Sequence, residues 1–212
     1  MNLTSTSAPA SLHGLVAVVT GGAKGIGLGI ARELAQAGCR IALWDFDETA
    51  LQGAEQALSG EGFNVRTFKV DVSSVEHVEA TVARLLASHG RIDILVNNAG
   101  IGGDKLVSKM ELAFWTRVIE VNLHSQFICS KAVLAQMAEN RFGRIINIGS
   151  RAWLGNRGQA AYSASKGAVV SLTRSLALEY ARKGITVNAI APGIVETPLF
   201  ETLTEEVRQG LH

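Results

Sequence analysis

The chain has 212 residues, 47% of them hydrophobic, and a formal net charge of +1 from 20 basic and 19 acidic side chains. That size and apolar content suit one globular α/β domain with a sizeable core and exclude a disordered chain. The balanced charge argues against a nucleic-acid or membrane-surface role driven by electrostatics. No apolar run approaches the ~18 residues that a membrane-spanning helix needs.

Residues 1–12 are rich in Ser, Thr and Ala, with no Arg and no apolar segment. They are expected to form a flexible arm and not a signal or transit peptide, so the default compartment is the cytoplasm. Residues 15–19 read as a fully buried strand, and so do 40–44, 64–70, 92–96, 144–148 and 185–190. Thr20-Gly21-Gly22-Ala23-Lys24-Gly25-Ile26-Gly27 follows the first strand and opens a helix over 25–37. Glycines here let the backbone turn sharply and approach a pyrophosphate, and the helix N-terminus offers free N–H groups. The spacing Gly-x-x-x-Gly-x-Gly departs from the commoner G-x-G-x-x-G. The same residues also suit an ordinary strand–helix turn, but their place after the first strand favours a ligand.

A second strand, 40–44, ends at Asp45. A carboxylate there can accept hydrogen bonds from both ribose hydroxyls of an adenosine and would repel a 2′-phosphate, which favours NAD over NADP. Lys24 pulls the other way, because an ammonium in the glycine turn can pair with that phosphate. Asp45 weighs more, since a buried like-charge contact is costly whereas Lys24 can swing into solvent. The plainer reading of Asp45 is a turn residue capping the next helix.

Asp47 is the expected N-cap of a helix at 47–59, and Ser74 that of a helix at 74–89. The strand 64–70 between them leads to Asp71-Val72. The Asp71 carboxylate can hold an adenine amino group or cap the following helix. Gly38, Gly90 and Gly184 stand where helices should stop.

The strand 92–96 ends at Asn97-Asn98-Ala99-Gly100, which suits either a cofactor lying close to the backbone or a tight turn. A long helix is expected over 111–139. Asn122 lies in its middle, where Asn is a poor helix former. It needs a reason: a local kink exposing a carbonyl to water, or a satisfied core amide. The strand 144–148 leads to Ser150, a hydroxyl at a strand's carboxyl end. It can polarise a substrate carbonyl or simply make a turn. Trp153 and Leu154 follow as an apolar wall, or as a core or interface contact. Cys39 and Cys129 form no CxxC, and the five histidines form no ligand-spaced cluster, so no metal is expected.

The helix 160–183 carries Tyr162-x-x-x-Lys166, which places the two side chains one turn apart on one face. A phenol titrates near pH ~10 in water, and a fixed ammonium beside it favours the phenolate. The pair is a candidate acid/base, although an exposed aromatic beside a solvated lysine is the plainer reading of the motif alone. A last strand, 185–190, runs into Pro192-Gly193-Ile194-Val195-Glu196-Thr197-Pro198. Continuous apolar strands alternating with helices predict a doubly wound parallel sheet of about six strands with right-handed crossovers. No linker divides the chain, so 1–212 reads as one domain.

The ordered set of Thr20 to Gly27, Asn97 to Gly100, Asn122, Ser150, Tyr162-x-x-x-Lys166 and the Pro192 motif resembles the "classical" short-chain dehydrogenase/reductases. The likeness runs over about residues 12–199. It implies a Rossmann fold and hydride transfer between a secondary alcohol and a ketone. Tyr162 would exchange the proton. Lys166 would lower the tyrosine pKa and hold the nicotinamide ribose. Ser150 would orient the carbonyl, and Asn122 would anchor a water linking Lys166 to solvent. Gly21, Gly25, Ile26 and Gly27 would cradle the pyrophosphate, with Lys24 beside them. Asp45 would select NAD, and Asp71 and Val72 would hold adenine. Asn98, Ala99 and Gly100 would line the adenosine side, and Pro192, Gly193, Val195 and Thr197 the carboxamide side.

Family members usually carry a further helix and a seventh strand after the Pro-Gly motif. This sequence runs only to His212, through an expected short helix over the substrate site (205–210). Without the seventh strand, 185–190 would present unpaired backbone groups and apolar flanks. The resemblance also implies a homotetramer or homodimer through the helices at 111–139 and 160–183. The competing functions are reduction of a 3-oxoacyl thioester on an acyl carrier protein with NADP, and non-catalytic dinucleotide binding.

Overall fold

In the computed structural model, residues 12–193 and Val195 are described. They form one parallel sheet in the order β3-β2-β1-β4-β5-β6. The strands are β1 (Val16–Thr20), β2 (Arg40–Asp45), β3 (Val65–Lys69), β4 (Ile94–Asn97), β5 (Gly143–Ile148) and β6 (Ile185–Ile190). The helices are α1 (Gly25–Gln36), α2 (Glu48–Gly60), α3 (Val75–His89), α4 (Leu112–Ile119), α5 (Ser125–Glu139) and α6 (Ala160–Tyr180). Each strand and helix expected between residues 15 and 190 is present. The helix called 111–139 is interrupted, with a π-helical turn at Glu120–His124 between α4 and α5.

Side chains alternate across the sheet, as the period of two requires. Ala17, Val19, Ile41 and Leu43 face α1 and α2. Val18, Ala42 and Trp44 face the opposite layer, which contains α3, α5 and part of α6. Buried on both faces, β1, β2 and β4 carry the continuous apolar runs of a central parallel sheet. The strands at 64–70 and 185–190 were expected to be fully buried as well. They are not: β3 and β6 are the edges of the sheet among the described residues, and each has exposed positions. Edge strands have a neighbour on one side only, so part of their surface stays wet.

The caps explain where helices begin. The Asp47 carboxylate accepts from Ala50 N–H, and the Ser74 hydroxyl accepts from His77 N–H. Gly90 closes α3 in the left-handed region at φ +75°. Both cysteines are buried free thiols, and burial pushes them up to about 11 (Cys39) and about 12 (Cys129). The strand order reverses between β1 and β4. In such sheets the ligand crevice lies there, outside the carboxyl ends of the strands.

Candidate active site

A cleft of about 990 Å³ opens at that reversal. Most of the residues selected from the sequence line it. Gly21, Lys24, Gly25 and Ile26 come from the glycine turn, Asp45 from the end of β2, and Asp71 and Val72 from the loop after β3. Asn98, Ala99 and Gly100 follow β4, Ser150 follows β5, and Pro192, Gly193 and Val195 follow β6. Tyr162 and Lys166 reach in from α6. Gly27 and Asn122 stand behind the wall instead of on it. Thr197 and the helix expected at 205–210 lie outside the described residues.

The glycine turn is packed onto the segment after β4. Gly21 and Gly25 have φ of +60° and +52°, where a side chain is strained. A Cβ on Gly27 would collide with the Gly21 carbonyl and lie 2.5 Å from Asn98 Nδ2. The Asn98 amide donates to the carbonyls of Thr20 and Gly21 at 3.0 Å. In return, the Thr20 hydroxyl accepts from Asn98 N and Ala99 N at 3.0 Å. Sequence reasoning missed Thr20 as a site residue. Its signal was a hydroxyl at the last position of β1, directly before the turn.

Lys24 occupies the N-cap of α1 and offers no side-chain cap, whereas α2 and α3 are capped by Asp47 and Ser74. The first-turn N–H groups of α1 therefore lack the side-chain acceptor that the other two helices have. They carry the partial positive charge of the helix end. This cradle fits the pyrophosphate of a dinucleotide.

At the next strand end, the Asp45 carboxylate accepts from Ala23 N (3.2 Å) and Asp47 N (3.1 Å). The capping role belongs to Asp47, while the bond from Asp47 N–H leaves Asp45 the turn part of its plainer reading. Lys24 Nζ pairs with Asp47 at 2.6 Å, and Asp45 makes no ion pair among the described residues. The Asp71 carboxylate takes bonds from both Ser73 N–H and Ser73 Oγ–H. The Ser73 hydroxyl holds it below the usual carboxylate range, with burial opposing. Ser74 caps α3, which leaves Asp71 as a cleft residue and not the helix cap.

At the other end of the cleft, Ser150 caps a short 3-10 turn (Arg151–Leu154), its Oγ accepting from Ala152 N at 3.1 Å. The Ser150 side chain also lies close enough to the Tyr162 phenol to favour its phenolate. Lys166 is only 3% exposed, and its Nζ donates to the Ile148 carbonyl at 2.8 Å. Burial lowers Lys166 to about 8. Tyr162 was expected to be acidified by Lys166. Instead its pKa is raised: burial pushes it up, and the Ser150 side chain pulls only partly back. The physical reason is placement. The ammonium lies 5.6 Å from the centre of the phenol ring and is engaged with a carbonyl of β5.

Of the two alternatives left open for Asn122, the satisfied core amide is seen directly, together with a local irregularity of the helix. Asn122 sits within the π-helical turn and is buried. Its Oδ1 accepts from Ile101 N (2.8 Å), and its Nδ2 donates to Ile101 O (3.0 Å) and Ser165 Oγ (3.2 Å). Ser165 Oγ donates in turn to the Tyr162 carbonyl at 2.7 Å. Asn122 thereby ties the loop after β4 to the turn of α6 that carries Tyr162. A Cβ on Gly100 would lie 3.3 Å from Asn122 Oδ1 and 3.6 Å from Lys166 Nζ, so a small residue lets these groups converge. Sequence reasoning also missed Ser165, three residues after Tyr162 on the same helix. Leu154 lines the cleft as the expected apolar wall, while Trp153 is half exposed outside it.

Residues 15–208 match the family described as short chain dehydrogenase. The chain is 41% identical over 196 residues to (2S)-[(R)-hydroxy(phenyl)methyl]succinyl-CoA dehydrogenase subunit BbsD of Thauera aromatica, covering 92% of this chain and 79% of that protein. It is 42% identical to the 3-oxoacyl-[acyl-carrier-protein] reductase FabG of Vibrio cholerae, covering 93% of this chain and 80% of the relative. The crystal structure of gox2181 superposes with a TM-score of 0.91 at 38% identity, over 94% of this chain and 80% of that one.

Proposed function

The chain belongs to the short-chain dehydrogenase/reductase family, oxidoreductases that act on CH–OH and keto groups with a nicotinamide cofactor. From that premise we propose that it interconverts a secondary alcohol and a ketone with NAD, Tyr162 serving as the acid/base. The observation that carries this reading is the convergence of Ser150, Tyr162 and Lys166 at one end of a cleft whose other end is a phosphate cradle.

Gly21, Gly25 and Ile26 and the N-terminus of α1 would hold the pyrophosphate, and Asp45 the adenosine ribose. When bound, the dinucleotide supplies the hydride acceptor or donor. In oxidation the Tyr162 oxygen takes the hydroxyl proton, and in reduction it returns that proton to the carbonyl oxygen. Ser150 donates a second hydrogen bond to the same oxygen, where negative charge develops during reduction. Lys166, held by the Ile148 carbonyl one helix turn from Tyr162, would hold the nicotinamide ribose. Asn122 and Ser165 fix the helix turn from which Tyr162 projects.

NAD is favoured over NADP because Lys24, the cation nearest Asp45 among the described residues, is already answered by Asp47. Asp45 is then left to repel a 2′-phosphate. The likeness to a 3-oxoacyl-[acyl-carrier-protein] reductase supports a second reading, reduction of an acyl thioester. A homo-oligomer is proposed through α4, α5 and α6, which expose Leu112, Phe127 and Leu178. The cytoplasm is the proposed compartment.

The test is absorbance at the reduced-nicotinamide band with a panel of secondary alcohols, ketones and acyl thioesters. Turnover is expected with NAD and an alcohol. Tyr162→Phe should abolish it while leaving NAD affinity nearly intact. Binding of NAD with no turnover across the panel would favour a non-catalytic dinucleotide-binding protein and reject the dehydrogenase reading.

A further inference from the structure

The substrate end of the cleft carries a cation that the proton-transfer residues do not use. Arg151 follows Ser150 directly and lines the cleft. Its backbone N–H donates to the Pro192 carbonyl at 3.1 Å, which pins the start of the 3-10 turn to the segment after β6. Its side chain runs along that segment: Cδ lies 3.9 Å from the place a Cβ on Gly193 would take. Arg151 is exposed and makes no ion pair or side-chain hydrogen bond among the described residues.

The other charges at the cleft have partners. Lys24 is paired with Asp47, and Lys166 with the Ile148 carbonyl. Arg117 donates to Ser73 beside Asp71, and the Asp104 carboxylate accepts from Gln159 Nε2 at 2.9 Å. Among the described residues, Arg151 is therefore the unanswered charge beside Ser150, with Leu154 and Ile101 as apolar wall. A guanidinium presents its N–H groups as a flat fork that matches a two-oxygen anion.

We propose that Arg151 is a specificity-determining residue that anchors an anionic group, foremost a carboxylate, on the substrate whose reacting oxygen meets Ser150 and Tyr162. This rests on the dehydrogenase reading and deepens it from "a secondary alcohol" to a hydroxy acid and its keto acid. Arg151 takes no part in proton exchange. It holds the far end of the substrate, so its contribution appears in KM and in discrimination between charged and neutral substrates.

The experiment compares matched pairs on the wild type, Arg151→Gln and Arg151→Lys. The first pairs are 2- and 3-hydroxybutyrate, each against its methyl ester. The second is the 3-hydroxybutyryl thioester of phosphopantetheine against that of pantetheine. Arg151→Gln should lower the acid-to-ester ratio of kcat/KM at least tenfold, mainly through KM, and Arg151→Lys should lose less. A selective loss in the second pair would keep the anion anchor and identify the anion as a phosphate. An equal effect on charged and neutral partners, or none, overturns the proposal. So does a matching fall in NAD affinity, which would place Arg151 on the cofactor.

Failure of the dehydrogenase reading would look different: no reduced nicotinamide with any substrate in the wild type. Calorimetric titration of 3-hydroxybutyrate into the enzyme–NAD complex then decides the anchor alone. Tenfold weaker binding to Arg151→Gln supports it, and equal binding overturns it.

Discussion

Burying Lys166 should leave a measurable pH signature in the stability of the chain without dinucleotide. Its ammonium is 3% exposed and is lowered from 10.5 to about 8 by burial. Because the folded-state value lies below the unfolded one, the unfolded chain binds more protons between them, and stability rises with pH across that window. At pH 7 both states carry the charge, and the full penalty of about 3 kcal/mol applies. By pH 9.5 the folded lysine is neutral, and the penalty falls to about 1 kcal/mol.

Lys166→Met keeps the length of the side chain and removes the titration. It also removes the hydrogen bond to the Ile148 carbonyl, but that loss alone carries no such slope. Denaturant unfolding of both proteins at several values from pH 7 to pH 9.5 isolates the effect. The stability difference (mutant minus wild type) should shrink by about 2 kcal/mol over that range. Cys39 and Cys129, pushed up by burial, are present in both proteins and cancel in the difference. Parallel pH profiles would refute the reasoning, since they would mean that the lysine is hydrated or neutralised in the folded chain.

Asp45→Ala should shift the NAD-to-NADP ratio of kcat/KM toward NADP by at least about tenfold, equivalent to about 1.4 kcal/mol. An unchanged ratio would discredit the carboxylate argument. Asn122→Leu strips partners from Ile101 N–H, Ile101 C=O and Ser165 Oγ. Leaving buried polar groups unpaired costs about 1–3 kcal/mol each, so a loss of several kcal/mol by denaturant unfolding is expected, with a fall in kcat. A loss below about 1 kcal/mol would mean that the loop after β4 is held by something else.

Much of the fold was legible because its signals are local. The apolar runs of β1, β2 and β4 are what a strand buried on both faces requires, and Asp47 and Ser74 cap where their side chains allow. The edge position of β3 was not legible, since it depends on which strand lies beside it. Asn122 could be flagged as an anomaly within a helix. The π-helical turn and its three long-range bonds emerge only when the loop after β4 and α6 come together. Asp45 was readable as a cleft carboxylate, but only Asp47 N–H is a local donor to it; Ala23 N–H comes from the glycine turn, met only in three dimensions. The Tyr162–Lys166 spacing correctly placed the pair on one face, yet it misjudged the electrostatics. Spacing carries no information on burial, and burial governs both groups.

The proton-exchange role of Tyr162 is tested most directly by a crystal of the enzyme with NAD and a bound alcohol or ketone. The account predicts the Tyr162 oxygen within hydrogen-bond reach of the substrate oxygen, about 2.6–3.2 Å, with the reacting carbon facing the nicotinamide ring. A phenol turned out of the cleft, or a nicotinamide lodged away from Ser150 and Tyr162, would contradict it.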